Sequence, residues 1–341
     1  MNYIGSKHQL APFIYESTQA ILPLTEETVV CDLFAGTGAM GRYFKAKGHR
    51  VIANDVEDYA YALNAHYIGN NEVAGVDDLL EALNASPAKT GLFVEHYSPE
   101  GREKRQYFTV DNAKKIDGIR QKIQEWSDRH YISPAQERYL LAASLEALDR
   151  VANTASVYAA YLKSFKKTAL APIEVTAIPT IPNTQECTAY QSDANELIHS
   201  ISGDILYLDP PYNGRQYGNY YHILNTFIRY DNFEPRGKTG MRDYYRSDYC
   251  KRPKVKDAFR DLVAAADFPV ILLSYNNEGL MSVDEIQEIM GQYGDYRQFQ
   301  KSYPRYKADT KRDYTAKDTV EYLHCLVKTT AAHRCDLVSS V

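Results

Sequence analysis

The apolar positions of this chain fall into two regimes. Residues 28–34 form a short apolar run ending in Asp32-Leu33-Phe34-Ala35-Gly36-Thr37-Gly38, and residues 50–54 form a second one that stops at Asp55. Short runs closed by glycine read as strand, turn and helix, which is the opening of a parallel βαβ unit. Across residues 71–171 strand signals thin and helical ones take over. Ser133-Pro134-Ala135-Gln136 combines a capping serine, a first-turn proline and a glutamine at the capping-box position. Tyr139, Leu140, Ala143, Leu145, Leu148, Val151 and Ala152 follow it near a 3.6-residue period. A Pro/Thr-rich return segment spans 172–184, and strand signals resume at 188–191, 205–208, 270–274 and 320–327. The pattern predicts one α/β core interrupted by a mainly helical insertion. Such an insertion is tolerable, because loop-closure entropy grows only logarithmically with length.

The glycine turn carries the first chemical signal. Gly36-Thr37-Gly38-Ala39-Met40-Gly41 matches G-x-G-x-x-G, and Asp55 lies 19 residues beyond Gly36. A dinucleotide would use such glycines for close backbone approach and such an acid for its ribose hydroxyls. S-adenosylmethionine, which has a ribose but no phosphate, suits the same geometry. Asp32 weighs between them, since an acid at the strand end repels pyrophosphate and attracts an ammonium or sulfonium. No G-x-x-x-x-G-K-[ST] motif is present, so a Walker-type site has no support.

The second signal is Asp204-Ile205-Leu206-Tyr207-Leu208-Asp209-Pro210-Pro211-Tyr212. An apolar strand delivers Asp209 to the carboxyl edge of a sheet, where open α/β folds bind ligands. Pro210 and Pro211 forbid helix and stiffen the backbone. A carboxylate beside a rigid carbonyl is an acceptor-only pair, suited to holding both hydrogens of an exocyclic amine while Tyr212 stacks on the attached ring. With both hydrogens held, the nitrogen lone pair can be aimed at an electrophilic methyl for direct in-line displacement. No cysteine follows a proline, so the Pro-Cys nucleophile of cytosine-carbon methylation is missing.

Composition adds limits. The 341 residues are 44% hydrophobic and 24% charged, which excludes wholesale disorder. A net charge of −5 argues against indiscriminate coating of nucleic acid, yet residues 234–256 hold eight basic against three acidic residues and 297–317 hold seven against two. Tyrosine is abundant, with 29 in the chain and nine between residues 207 and 249. The five scattered cysteines fit neither a metal knuckle nor a redox pair, and no signal peptide or membrane-length apolar run is seen. These features predict a reduced, cytoplasmic protein without membrane attachment.

Taken in order, Tyr3-Ile4-Gly5-Ser6-Lys7, Asp32 to Gly38 and Asp209 to Tyr212 resemble the adenine-specific DNA methyltransferases, most of all the DNA adenine methylase group. The resemblance covers residues 1–70 and 172–330. It implies a Rossmann-like class I methyltransferase fold with a seven-stranded, mostly parallel sheet, S-adenosylmethionine as donor and no metal. It places Tyr3, Lys7, Asp32, Phe34, Ala35, Gly36, Gly38, Asp55 and Asp193 at the donor, with Lys7 near its methionine portion, Asp55 on its ribose and Asp193 on its adenine. Asp209, Pro210, Pro211 and Tyr212 would grip the target base. The implied layout is a catalytic domain of residues 1–70 and 172–341, a helical target-recognition insertion of 71–171, and a basic, Tyr-rich DNA-contacting loop of 213–256. The implied activity is methylation of adenine in a specific double-stranded DNA sequence after base flipping. Its setting would be a restriction-modification system whose cognate endonuclease acts separately.

Overall fold

The computed structural model describes residues 5, 7–304 and 318–329. The chain separates into two compact units. One is built from residues 7–56, 183–216, 246–304 and 318–329 and contains every described strand: β1 (Val29–Asp32), β2 (Arg50–Asn54), β3 (Thr188–Tyr190), β4 (Ile205–Leu208), β5 (Val270–Asn276), β6 (Gly294–Pro304) and β7 (Asp318–Lys328). They form one seven-stranded sheet in the order β3-β2-β1-β4-β5-β7-β6. The first five run parallel, β7 is antiparallel to β5, and β6 is antiparallel to β7. This is the seven-stranded, mostly parallel, Rossmann-like sheet that the resemblance implies.

The central strands are apolar because both of their faces are covered. Cys31, Leu206, Leu208, Ile271 and Leu273 are fully buried and pack with Phe259, Leu262 and Val263 from the helix Val255–Ala265. Each such leucine or isoleucine contributes about 1.5–3 kcal/mol by leaving water. β6 was not legible from its pattern. Its sequence, Gly-Asp-Tyr-Arg-Gln-Phe-Gln-Lys-Ser-Tyr-Pro, is polar because the strand lies at the sheet edge and pairs with β7 alone.

The second unit comprises residues 57–182 and 217–245 and is helical. The helix Pro134–Val151 opens on the expected capping box, with Ser133 and Gln136 bonding reciprocally. The unit begins well before residue 71, because Tyr59, Leu63 and Tyr67 of the helix Asp58–Tyr67 share a core with Tyr139 and Leu140. It also takes in 217–245. Residues 213–256 are therefore not one loop: they include the helices Tyr217–Tyr220 and His222–Arg229, and Tyr221, Leu224 and Phe227 join the same core. Arg120 fixes the second of these helices, donating from Nε and Nη2 to the Phe227 and Ile228 carbonyls at 2.9 Å each.

Candidate active site

β1 and β4 are neighbours at the point where the sheet order reverses, β2 and β3 lying on one side and β5 on the other. Open α/β sheets form a ligand crevice at such a point. The register pairs Asp32 at the end of β1 with Tyr207 in β4, so Asp209 leaves the sheet two residues beyond that pair. The two motifs singled out in the sequence thus emerge from adjacent strands of the sheet.

On the first of them, Gly36 and Gly38 adopt φ of +52° and +78°, the left-handed region that glycine enters without a Cβ clash. Gly38 then starts the helix Ala39–Ala46. Asp32, 2% exposed, accepts from the Gly41 amide at 2.9 Å and so caps that helix from the strand. Burial pushes the Asp32 carboxyl up to about 7, with the Gly41 bond opposing it and the charges of Asp209 and Asp55 adding to it. Asp55 Oδ2 accepts from the Gly36 amide at 2.8 Å, which clamps the turn to the end of β2. Asp193 begins the short helix Ala194–Leu197 by accepting from the amides of Asn195 and Glu196. Phe34 meets Tyr249 edge-on at 4.9 Å between ring centroids, and Ala35 donates to the Asn54 carbonyl at 2.9 Å. Tyr3 lies outside the described residues.

Asn54 is a residue that sequence reasoning passed over. It is 1% exposed; its Nδ2 donates to the Leu33 and Ser192 carbonyls at 3.1 Å each, and its Oδ1 accepts from the Ser192 amide at 3.0 Å. One buried amide therefore ties together the end of β1, the end of β2 and the segment that carries Asp193. A polar residue closing an otherwise apolar strand was the available signal.

At the second motif, Pro210 is buried and Pro211 half-buried, and the chain from Asp209 to Tyr212 lies outside any strand or helix. Lys7 Nζ donates to Asp209 Oδ1 at 2.8 Å and lies 3.3 Å from Glu321 Oε1. It also stands 5.6 Å from the centre of the Tyr212 ring. This places Lys7 among the residues expected to grip the target base. Burial pushes the Asp209 carboxyl up to about 6; Lys7 opposes that rise and Glu321 adds to it. Burial disfavours the Lys7 ammonium, but Asp209 and Glu321 outweigh it and hold the lysine well above its usual range. Tyr212 meets Tyr275 edge-on at 6.2 Å, and Tyr275 is anchored by the Leu280 and Met281 amides. Ser274 accepts from the Tyr207 hydroxyl at 3.0 Å, and Asn276 caps the turn at Glu278.

Glu321 was also missed. It lies in β7 on the same alternation as Leu323 and Cys325, both fully buried. An acid on the buried parity of an apolar strand was the signal that could have found it.

Many basic and aromatic residues of the helical unit and of 245–256 make contacts within the protein. Within 102–129, Arg105 donates to the carbonyls of His96, Gly237 and Lys238, and Lys115 to those of Asn84 and Ser86. Lys114 pairs with Glu100, while Lys122 and Arg129 pair with Glu125. In the later segment Lys251 and Lys254 pair with Asp248, and Lys256 with Glu285. Lys166 Nζ donates to the Thr154 carbonyl at 2.8 Å, whereas Lys163 and Lys167 are exposed. Tyr207, Tyr221 and Tyr249 are core residues, and Tyr245 is exposed. Among the described residues, no helix is long and apolar enough to cross a membrane and no cluster of acidic, histidine or cysteine side chains could hold a metal ion.

A strand-borne acid followed by two prolines and a tyrosine thus leaves β4, next to the strand β1 that leads into the glycine turn held by Asp32 and Asp55. The chain belongs to the D12 class N6 adenine-specific DNA methyltransferase family, whose model matches residues 3–289. It is 48% identical to the type II methyltransferase M.NlaIII of Neisseria lactamica over 96% of this chain and all of that protein. It is 34% identical to M.CviAII of Paramecium bursaria Chlorella virus 1, covering 95% of this chain and 97% of the relative. It is 36% identical to M.FokI of Planomicrobium okeanokoites, spanning 53% of that longer protein. The protein is thus an adenine-specific DNA methyltransferase.

Proposed function

We propose that Asp209 and the Pro210 carbonyl accept the two amino hydrogens of an adenine flipped out of double-stranded DNA, with Tyr212 stacked on its ring. The observation that carries this reading is the position of Asp209: partly exposed at the sheet's switch point and bonded through one carboxylate oxygen to Lys7. Holding both hydrogens frees the amino lone pair for attack. As the nitrogen gains positive charge, the Asp209 carboxylate stabilises it and is suited to receive its proton.

The groups at the glycine turn fit S-adenosylmethionine. Asp32 and Asp55 are carboxylates, which repel pyrophosphate and complement a ligand with ammonium and sulfonium charges; this favours the methyl donor over a dinucleotide. When bound, the cofactor supplies an electrophilic methyl group on sulfur. Left-handed Gly36 and Gly38 allow close backbone approach, Asp55 accepts from the ribose, Asp193 meets the adenine ring, and Phe34 and Ala35 line the methionine. Asp32 orients the cationic end.

Flipping a base costs about a few kcal/mol, which phosphate contacts and stacking must offset. The helical unit is the candidate recognition surface, with exposed Arg102, Lys104, Lys163 and Lys167 as its phosphate contacts. The similarity to type II enzymes, which include modification methylases, supports a role protecting host DNA from a separate, cognate endonuclease. Tritium transfer from labelled S-adenosylmethionine to unmethylated duplex DNA, with RNA and Asp209→Ala as controls, tests the activity. Label appearing in RNA but not DNA would refute it. Sequencing the modified DNA with a readout for N6-methyladenine then gives the target site.

A further inference from the structure

We infer that Glu321 is a positioning residue which takes over the Lys7 ammonium when the substrate amine occupies Asp209. The inference rests on the reading of Asp209 as the amine acceptor. Three charges are grouped here: Lys7 Nζ lies 2.8 Å from Asp209 Oδ1 and 3.3 Å from Glu321 Oε1. Their side chains are 6%, 19% and 2% exposed for Lys7, Asp209 and Glu321, so Asp209 is the member a base can approach. An amine arriving there meets an acceptor that already holds an ammonium.

A neutral amine cannot displace that ammonium into nothing. Leaving a buried charge without its partner costs several kcal/mol. Glu321 supplies the alternative. Its Oε1 is buried with no hydrogen-bond partner, although Lys7 Nζ is close by, so it is an acceptor whose demand is unmet while Lys7 bonds to Asp209. Closing from 3.3 Å to an ordinary hydrogen-bond length needs a shift of about half an ångström. The carboxylate is held where it is needed, because β7 is paired on both sides, with Glu321 opposite Asn276 of β5 and Lys301 of β6. The site keeps a net negative charge after the transfer of the ammonium, which suits a reaction that places positive charge on the amine.

Removing the Glu321 charge should lock Lys7 onto Asp209. Single-turnover methylation of unmethylated duplex DNA at saturating S-adenosylmethionine is therefore expected to slow at least about tenfold in Glu321→Gln, with donor affinity by calorimetry and Tm near wild type. Adding Lys7→Met removes the competitor. The double variant Lys7→Met/Glu321→Gln should be faster than Glu321→Gln alone and equal to Lys7→Met alone. A merely structural glutamate would show no such rescue. Wild-type rate in Glu321→Gln, or a double variant slower than Lys7→Met, would overturn the assignment. Should Glu321→Gln fail to fold, the comparison of Lys7→Met with the double variant still decides. Activity surviving in Asp209→Ala would instead bring down the amine-acceptor reading and this inference with it.

Discussion

Lys7 Nζ donates a 2.8 Å hydrogen bond to Asp209 Oδ1 across 202 positions of sequence. The pairing joins the motif near the start of the chain to the Asp-Pro-Pro-Tyr turn. It also links the two in energy: the lysine stays charged in a buried place because Asp209 and Glu321 are there, and the acid resists the full effect of its burial because the lysine is there.

Asp209→Ala removes the acceptor that holds the amine and leaves the glycine turn intact. Methyl transfer should fall by at least about a hundredfold, the order found when one preorganised polar group is lost. Isothermal titration should still show donor binding. Loss of donor binding with unfolding by circular dichroism would mean Asp209 has a structural role.

Asp209 is acceptor-only, and able to take the amine's proton, only when ionised, and burial holds its carboxyl up to about 6 rather than 3.8. The rate should be flat above that value and decline about tenfold per pH unit below it. A profile of kcat/KM against pH checks this. An acid limb displaced to the ordinary aspartate range would refute it.

Asp32 makes a prediction about stability. Its folded-state pKa, about 7, exceeds its ordinary 3.8, so the native state binds the proton more tightly than the unfolded chain does. This carboxyl's contribution is present below 3.8 and is lost as pH rises through about 7. Asp32→Asn keeps an acceptor for the Gly41 amide, and its Tm should decline less than wild type over that window. A parallel decline in the two proteins would count against it.

Asp55→Ala deletes both the clamp on the Gly36 amide and the proposed ribose acceptor. Donor affinity should weaken by about tenfold or more, from the loss of at least one charge-assisted hydrogen bond. Asn54→Ala attacks the same turn from behind. It leaves the Leu33 and Ser192 backbone groups without their partner and should cost about 1–3 kcal/mol of stability as well as donor affinity. Calorimetry and denaturant unfolding separate the two variants.

Lys163 and Lys167 are exposed, whereas Lys166 is held by the Thr154 carbonyl. Replacing both exposed lysines with alanine should weaken DNA binding and lower the slope of log affinity against log salt by up to about two. Lys166→Met should change Tm instead. An unchanged salt slope in the double alanine variant would remove these lysines from the interface.

The sequence by itself determined the sheet's opening strands, the glycine turn, the helix capped at Ser133 and the Asp-Pro-Pro-Tyr turn. These are local matters: alternation of apolar residues, steric freedom at glycine and the fixed φ of proline act over a few residues. Tertiary structure decided the rest. The polar edge strand β6, the two helices inside 213–256, the Asn54 staple and the meeting of Lys7, Asp209 and Glu321 all depend on segments far apart in the chain. In one dimension nothing ties a lysine at position 7 to an aspartate at 209 or a glutamate at 321. Only the fold takes the lysine and the glutamate out of water, and a charge removed from water must find its partner among whatever the sheet has brought beside it.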